Sequence, residues 1–198
     1  ASEIYQALKQ EINQLGLSTA VGDEGGFAPD LQSTNHALDL IITSVNRAGL
    51  VAGKDIFLAL DCAATEYFNG TSYKLSGEGL DLTSEQNVNF IEQLLKNYPI
   101  ISIEDAMAED DWAGWKLLTK SIGDKCQLVG DDLFVTNQNR LKSGVEHDIA
   151  NSILIKPNQI GTLSETLETM KFAEKNNYSC IVSHRSGETE DTTIADIA

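Results

Sequence analysis

Five short apolar runs, each ending in an ionisable residue, constrain this chain more than any other feature. They are FLALD ending at Asp61, IISIED ending at Glu104 and Asp105, QLVGDD ending at Asp131 and Asp132, SILIK ending at Lys156, and SCIVSHR ending at His184 and Arg185. From Asp61 through Glu104, Asp131 and Lys156 to His184 the gaps are 43, 27, 25 and 28 residues. A weaker sixth run, TAVGDE, ends at Glu24. Apolar runs without strict alternation suit strands buried on both faces. Helical spacing fills the intervals: Thr34 to Ala48, a stretch opening at Thr83, Asp111 to Ser121, Asn137 to Val145, and Thr162 to Asn176. Thr162-Leu163-Ser164-Glu165 is a capping-box pattern. The longer gap after Asp61 holds Asn69 to Gly79, which reads as a loop or small hairpin.

Strands alternating with helices build parallel sheets, and parallel strands put their C-terminal ends on one edge. The charges that end these runs therefore collect on one rim, where α/β folds place their sites. The repeat predicts an α/β fold: about six βα units of a partial TIM-type (β/α) barrel, forming a single domain over residues 1–198. Six units fall short of eight strands, so a portion of a larger barrel is expected. An open doubly wound sheet is the alternative.

Composition limits the partners. Thirty acidic residues against 14 basic ones give a net charge of −16. Such a chain repels phosphate backbones and anionic lipid surfaces, so neither nucleic acid nor membrane is expected. No apolar run approaches the ~20 residues of a spanning helix, and the first residues have no apolar signal core. Cys62, Cys126 and Cys180 are odd in number, widely spaced and set in apolar surroundings. They fit reduced thiols in a cytoplasmic protein.

The rim residues suggest chemistry. Asp61, Glu104 and Asp131 are carboxylates at successive strand ends, and like charges so placed repel unless a cation sits among them. Oxygen ligands without His or Cys favour Mg²⁺. Each acid could instead cap the following helix. Lys156 closes an apolar run, and burial would lower its pKa toward the roughly 7–8 useful to a general base. A salt bridge to a nearby acid is an alternative that does not exclude the base role. His184 and Arg185 offer a polar and a cationic group to a phosphate or carboxylate. Glu24 precedes two glycines in VGDEGG, which fits a catalytic acid or a plain turn. His36 and His147 are read as surface residues.

Six segments, in order, resemble the enolase family: VGDEGGFAPD, ALDCAATEYF, SIEDAMAEDDW, VGDDLFVTN, IKPNQIGTLSE and VSHRSGETEDT. They span about residue 20 to residue 198, with wording similar to bacterial members. The resemblance implies a glycolytic lyase, phosphopyruvate hydratase, interconverting 2-phosphoglycerate and phosphoenolpyruvate with two Mg²⁺ ions. It implies that Asp61, Glu104 and Asp131 hold the first metal, that Lys156 removes the α-proton and that Glu24 is the acid. Ser183, His184, Arg185 and Ser186 would bind the phosphorylated substrate together with Asp131 and Lys156. It further implies a cytoplasmic homo-oligomer when complete, with an N-terminal domain, the first barrel strands and the last strand lying outside residues 1–198. Two other readings stand beside it: a superfamily member that racemises or cycloisomerises carboxylates, and a non-catalytic binding or structural module.

Overall fold

The computed structural model describes residues 1–185 and 188–198. Two helices, α1 (Ser2–Gln14) and α2 (Thr34–Arg47), precede the first strand and pack on each other, with Arg47 paired to Glu11. The segment between them holds the weaker sixth run. It forms no strand of the sheet: Val21 makes a single antiparallel bridge to Phe27, closing a turn. The reason is local. Gly22 and Gly26 pair their backbones, and Gly25, at φ +83°, takes a left-handed conformation that favours glycine. Tyr5 of α1 stacks on Phe27 at 4.3 Å between ring centroids and donates to the Gly25 carbonyl.

The chain then runs through β1 (Leu58–Asp61), a hairpin of β2 (Tyr73–Leu75) and β3 (Leu80–Leu82), α3 (Ser84–Asn97), β4 (Ile100–Glu104), α4 (Trp112–Ile122) and β5 (Gln127–Gly130). After these come α5 (Gln138–Glu146), β6 (Ser152–Ile155), the short α6 (Pro157–Ile160), α7 (Leu163–Lys175), β7 (Ser179–Val182) and α8 (Thr193–Ile197). The hairpin is the small insertion expected in the long gap. Four of the five residues anticipated as helix openers act as N-caps: Thr83 in a full capping box, and Asp111, Asn137 and Thr162, which each accept from the first turn, whereas Thr34 is already helical and Ser33 caps α2.

All five long runs are strands of one parallel sheet, ordered β1-β4-β5-β6-β7. Each strand is added beside its predecessor, with a helix between. A doubly wound sheet reverses order at a switch point, and this one does not, so the topology is that of a partial barrel. Register aligns the C-terminal ends: Asp61 lies opposite Glu104, Glu104 opposite Val129, Gly130 opposite Ile153, and Ile155 opposite Val182. Asp131, Lys156 and Ser183 each follow their strand by one residue and reach the same rim.

Burial explains why the runs are so apolar. All four residues of β6 are buried, as are Leu128 and Val129 of the adjacent β5 and Ile103 of β4. Trp115 and Leu118 of α4 and Leu141 of α5 are fully buried in the same core. Phe134 fits between two glycines: a Cβ on Gly130 would meet its ring at 2.6 Å and one on Gly144 at 2.5 Å. Cys62, Cys126 and Cys180 are unpaired, and none is exposed. His147 is on the surface, but His36 is a correction. It is half-buried on α2, and its Nδ1 is enclosed with no hydrogen-bond partner. No helix among the described residues is long and apolar enough to cross a membrane.

Candidate active site at the strand ends

A cavity of about 510 Å³ opens at the C-terminal rim. Glu24, Asp61, Glu104, Lys156, Ser183, His184 and Arg185 line it, together with Leu154. Asp131 lies beneath, 8% exposed. Its Oδ2 accepts from Lys156 Nζ at 2.5 Å, and its Oδ1 accepts from Gln159 Nε2 at 3.3 Å. The salt bridge weighed as an alternative for Lys156 is therefore present. Ser186 lies outside the described residues.

The turn after β5 fixes this arrangement. Val135 and Thr136 have φ of 46° and 55°, unusual for β-branched residues. Thr136 is fully buried, and its hydroxyl accepts from Lys156 N–H at 2.9 Å and donates to Gln159 Oε1 at 2.9 Å. With its oxygen so engaged, Gln159 presents its amide NH₂ to Asp131. Gln159 comes from α6, whose first residue is Pro157, pre-set for a helical start.

Glu24 and His184 come from opposite ends of the chain, yet His184 Nε2 lies 3.5 Å from Glu24 Oε2, with both side chains exposed. The glycine turn thus reaches over the rim to the loop after β7. That loop is tied to β6 by Ser183 N–H, which donates to the Ile155 carbonyl at 2.9 Å. Ser183 Oγ donates to the His184 carbonyl, and His184 Nδ1 lies 2.9 Å from the Arg185 carbonyl.

Electrostatics distinguish the acids. Burial pushes the Glu104 carboxyl up to about 8, with the Asp61, Asp131 and Asp105 carboxylates adding to the rise and Lys156 opposing it. Asp61 is also raised, first by partial burial, although the Ala63 N–H it accepts works against the rise. Asp105 is raised to about 7 by burial despite two backbone hydrogen bonds. Carboxylates of Glu104, Asp105 and Asp131 each bring an oxygen within 4.8 Å of the others. Asp61 faces the same cavity but stands outside that tightest group. One lysine leaves the set short of positive charge. All its donors are hard oxygens, so it fits a hard divalent cation such as Mg²⁺.

Sequence reasoning missed three supporting residues: Asp105, Thr136 and Gln159. Gln159 had a signal in its placement three residues after Lys156 in IKPNQIG. Thr136 had none, because its role depends on a left-handed turn. A second cavity, of about 460 Å³, lies at the opposite, N-terminal ends of β1 and β4 around Phe57, Pro99 and Ile101. It gathers no comparable acids.

The comparison with known families agrees with the fold. The family model for the enolase C-terminal TIM barrel domain matches residues 1–198. The chain belongs to the enolase C-terminal TIM barrel domain family.

Proposed function

We propose that this chain supplies the acid/base centre of a phosphopyruvate hydratase, which interconverts 2-phosphoglycerate and phosphoenolpyruvate plus water. The observation that carries the reading is the meeting of Lys156, Glu24 and the strand-end acids around one cavity. Lys156 and Glu24 come from separate elements, which lets a base and an acid address different atoms of one small substrate.

In the forward direction Lys156, as the free amine, takes the proton from the α-carbon, and the C–H electron pair stays on carbon. Glu24, as the protonated acid, delivers a proton to the hydroxyl on the neighbouring carbon. The C–O bond breaks, water leaves and the electron pair closes the double bond. The first step is difficult because negative charge accumulates beside a carboxylate already charged. Bound Mg²⁺ supplies the positive charge that offsets it. Asp61, Glu104 and Asp131 would hold the first of two such ions. Gln159 and Lys156 keep Asp131 oriented from within the protein. Ser183, His184, Arg185 and Ser186 would bind the phosphorylated substrate, the guanidinium offering paired donors to phosphate. Glu24 beside His184 ties the acid to the same loop. The complete enzyme would be a cytoplasmic homo-oligomer.

The test is Mg²⁺-dependent formation of phosphoenolpyruvate from 2-phosphoglycerate by the intact protein. Turnover should vanish in Lys156→Ala. Racemisation or cycloisomerisation of another carboxylate, with no dehydration of 2-phosphoglycerate, would assign the chain to a different reaction of the superfamily.

A further inference from the structure

Asp105 follows a proposed metal ligand and sits in an unusual conformation. Its φ is 43°, in the left-handed region, and it is only 3% exposed. Aspartate tolerates this region better than most residues, yet the conformation still costs energy when buried. What compensates is a set of bonds from the end of β4 to the ends of two other strands. Its N–H donates to the Val129 carbonyl of β5 at 3.0 Å, and its carbonyl accepts from Ala64 N–H, beyond β1, at 3.0 Å. Its carboxylate accepts from two consecutive amides beyond β5: Oδ1 from Asp131 N–H at 3.0 Å and Oδ2 from Asp132 N–H at 2.9 Å.

We propose that Asp105 is the positioning residue that locks the ends of β1, β4 and β5 together, so that Asp61, Glu104 and Asp131 present their carboxylates in one fixed arrangement. The role rests on the metal reading given above. Although Asp105 lies within 4.8 Å of Glu104 and Asp131, each of its oxygens already serves a backbone amide. Among the described residues the Asp131 carboxylate, by contrast, accepts from the side chains of Lys156 and Gln159 and from no backbone amide. Asp105 thus acts on the cation through Asp131. Turning the Asp131 amide by releasing its acceptor would swing the ligand away from Glu104. Only a carboxylate can accept from both amides at once. An asparagine has one oxygen, and its NH₂ would face the second N–H donor to donor. Supporting groups of this kind contribute about 10- to 100-fold in metal affinity.

The experiment is Mg²⁺ titration by calorimetry on the intact protein and three variants, without substrate. Asp105→Asn should weaken Mg²⁺ binding about 10- to 100-fold. Asp105→Gly relaxes the left-handed backbone but removes both acceptors, so it should fold more readily than the Asn variant and bind Mg²⁺ as weakly. Leu141→Ala opens the core away from the site; it should lower the melting temperature and leave Mg²⁺ affinity unchanged. An Asp105 variant binding Mg²⁺ as tightly as the parent overturns the proposal. Should neither Asp105 variant fold, amide hydrogen exchange in the parent decides. The Asp131 and Asp132 amides should be protected without Mg²⁺, and rapid exchange at both overturns the anchor. A parent that binds no Mg²⁺ refutes the metal reading instead, and the same exchange measurement still decides whether the anchor exists.

Discussion

Replacing Thr136 by Val separates the buried hydroxyl from everything else the side chain does. Val keeps the shape and the β-branch, so the backbone cost of φ 55° is the same before and after. Lost with the hydroxyl are its bonds to Lys156 N–H, from which it accepts, and to Gln159 Oε1, to which it donates, the Leu154 carbonyl being a more distant acceptor at 3.4 Å. Orphaning a buried N–H costs about 1–3 kcal/mol, and a lost neutral hydrogen bond about 0.5–1.5 kcal/mol. The sum is about 1.5–4.5 kcal/mol. For a chain of this size each kcal/mol lowers the melting temperature by roughly 2–4 °C, so a fall of about 3–18 °C is expected. Activity should fall as well. Without the hydroxyl, the Gln159 oxygen loses the donor-acceptor contact that fixes it, and the NH₂ is held toward Asp131 by that carboxylate alone. Thr136→Ser retains the hydroxyl and should recover most of both losses. Denaturant unfolding of the two variants beside the parent is the assay. A Val variant within about 0.5 kcal/mol of the parent, the range of an innocuous surface change, refutes the reasoning.

Gly144→Ala drives a methyl into the Phe134 ring and should cost about 1–3 kcal/mol, read by denaturant unfolding. The metal-free protein should lose stability as pH rises from about 5 to 8. Glu104 keeps its proton to about 8 when folded, whereas unfolded Glu releases it at roughly 4.3, so the folded state binds more protons across that window. Melting temperatures across it should fall without Mg²⁺ and flatten or rise with Mg²⁺; a rise without the ion contradicts the electrostatic account. The 198-residue chain by itself should self-associate, because among the described residues β1 and β7 are unpaired edges, and Phe57 and Ile101 are exposed near β1. A monodisperse monomer by light scattering would count against this.

The strand runs were legible because burial on both faces writes a continuous apolar signal, and parallel register then brings the terminal charges together without further information. Caps were legible too, since Thr83, Asp111, Asn137 and Thr162 act through local geometry. Glu24 illustrates the limit. TAVGDE resembles a strand end by composition, but its paired glycines turn the backbone back on itself, and only tertiary contact with Tyr5 and the β7 loop places it. Asp105 and Thr136 were hidden for a related reason. Their roles come from positive φ values and from amides beyond the ends of strands, which no periodicity records. His36 was misread because half-burial on an amphipathic helix depends on what packs against it.

The central claim is that Lys156 and Glu24 perform separate proton transfers on one substrate. Exchange of the α-proton of 2-phosphoglycerate with deuterated solvent, followed by NMR in the intact protein with Mg²⁺, tests it most directly. Lys156→Ala should abolish both exchange and dehydration. Glu24→Gln should slow dehydration by on the order of 10²–10⁴-fold, the usual contribution of a positioned acid, while some exchange persists because the base remains. Loss of exchange in Glu24→Gln as complete as in Lys156→Ala would contradict the division of roles.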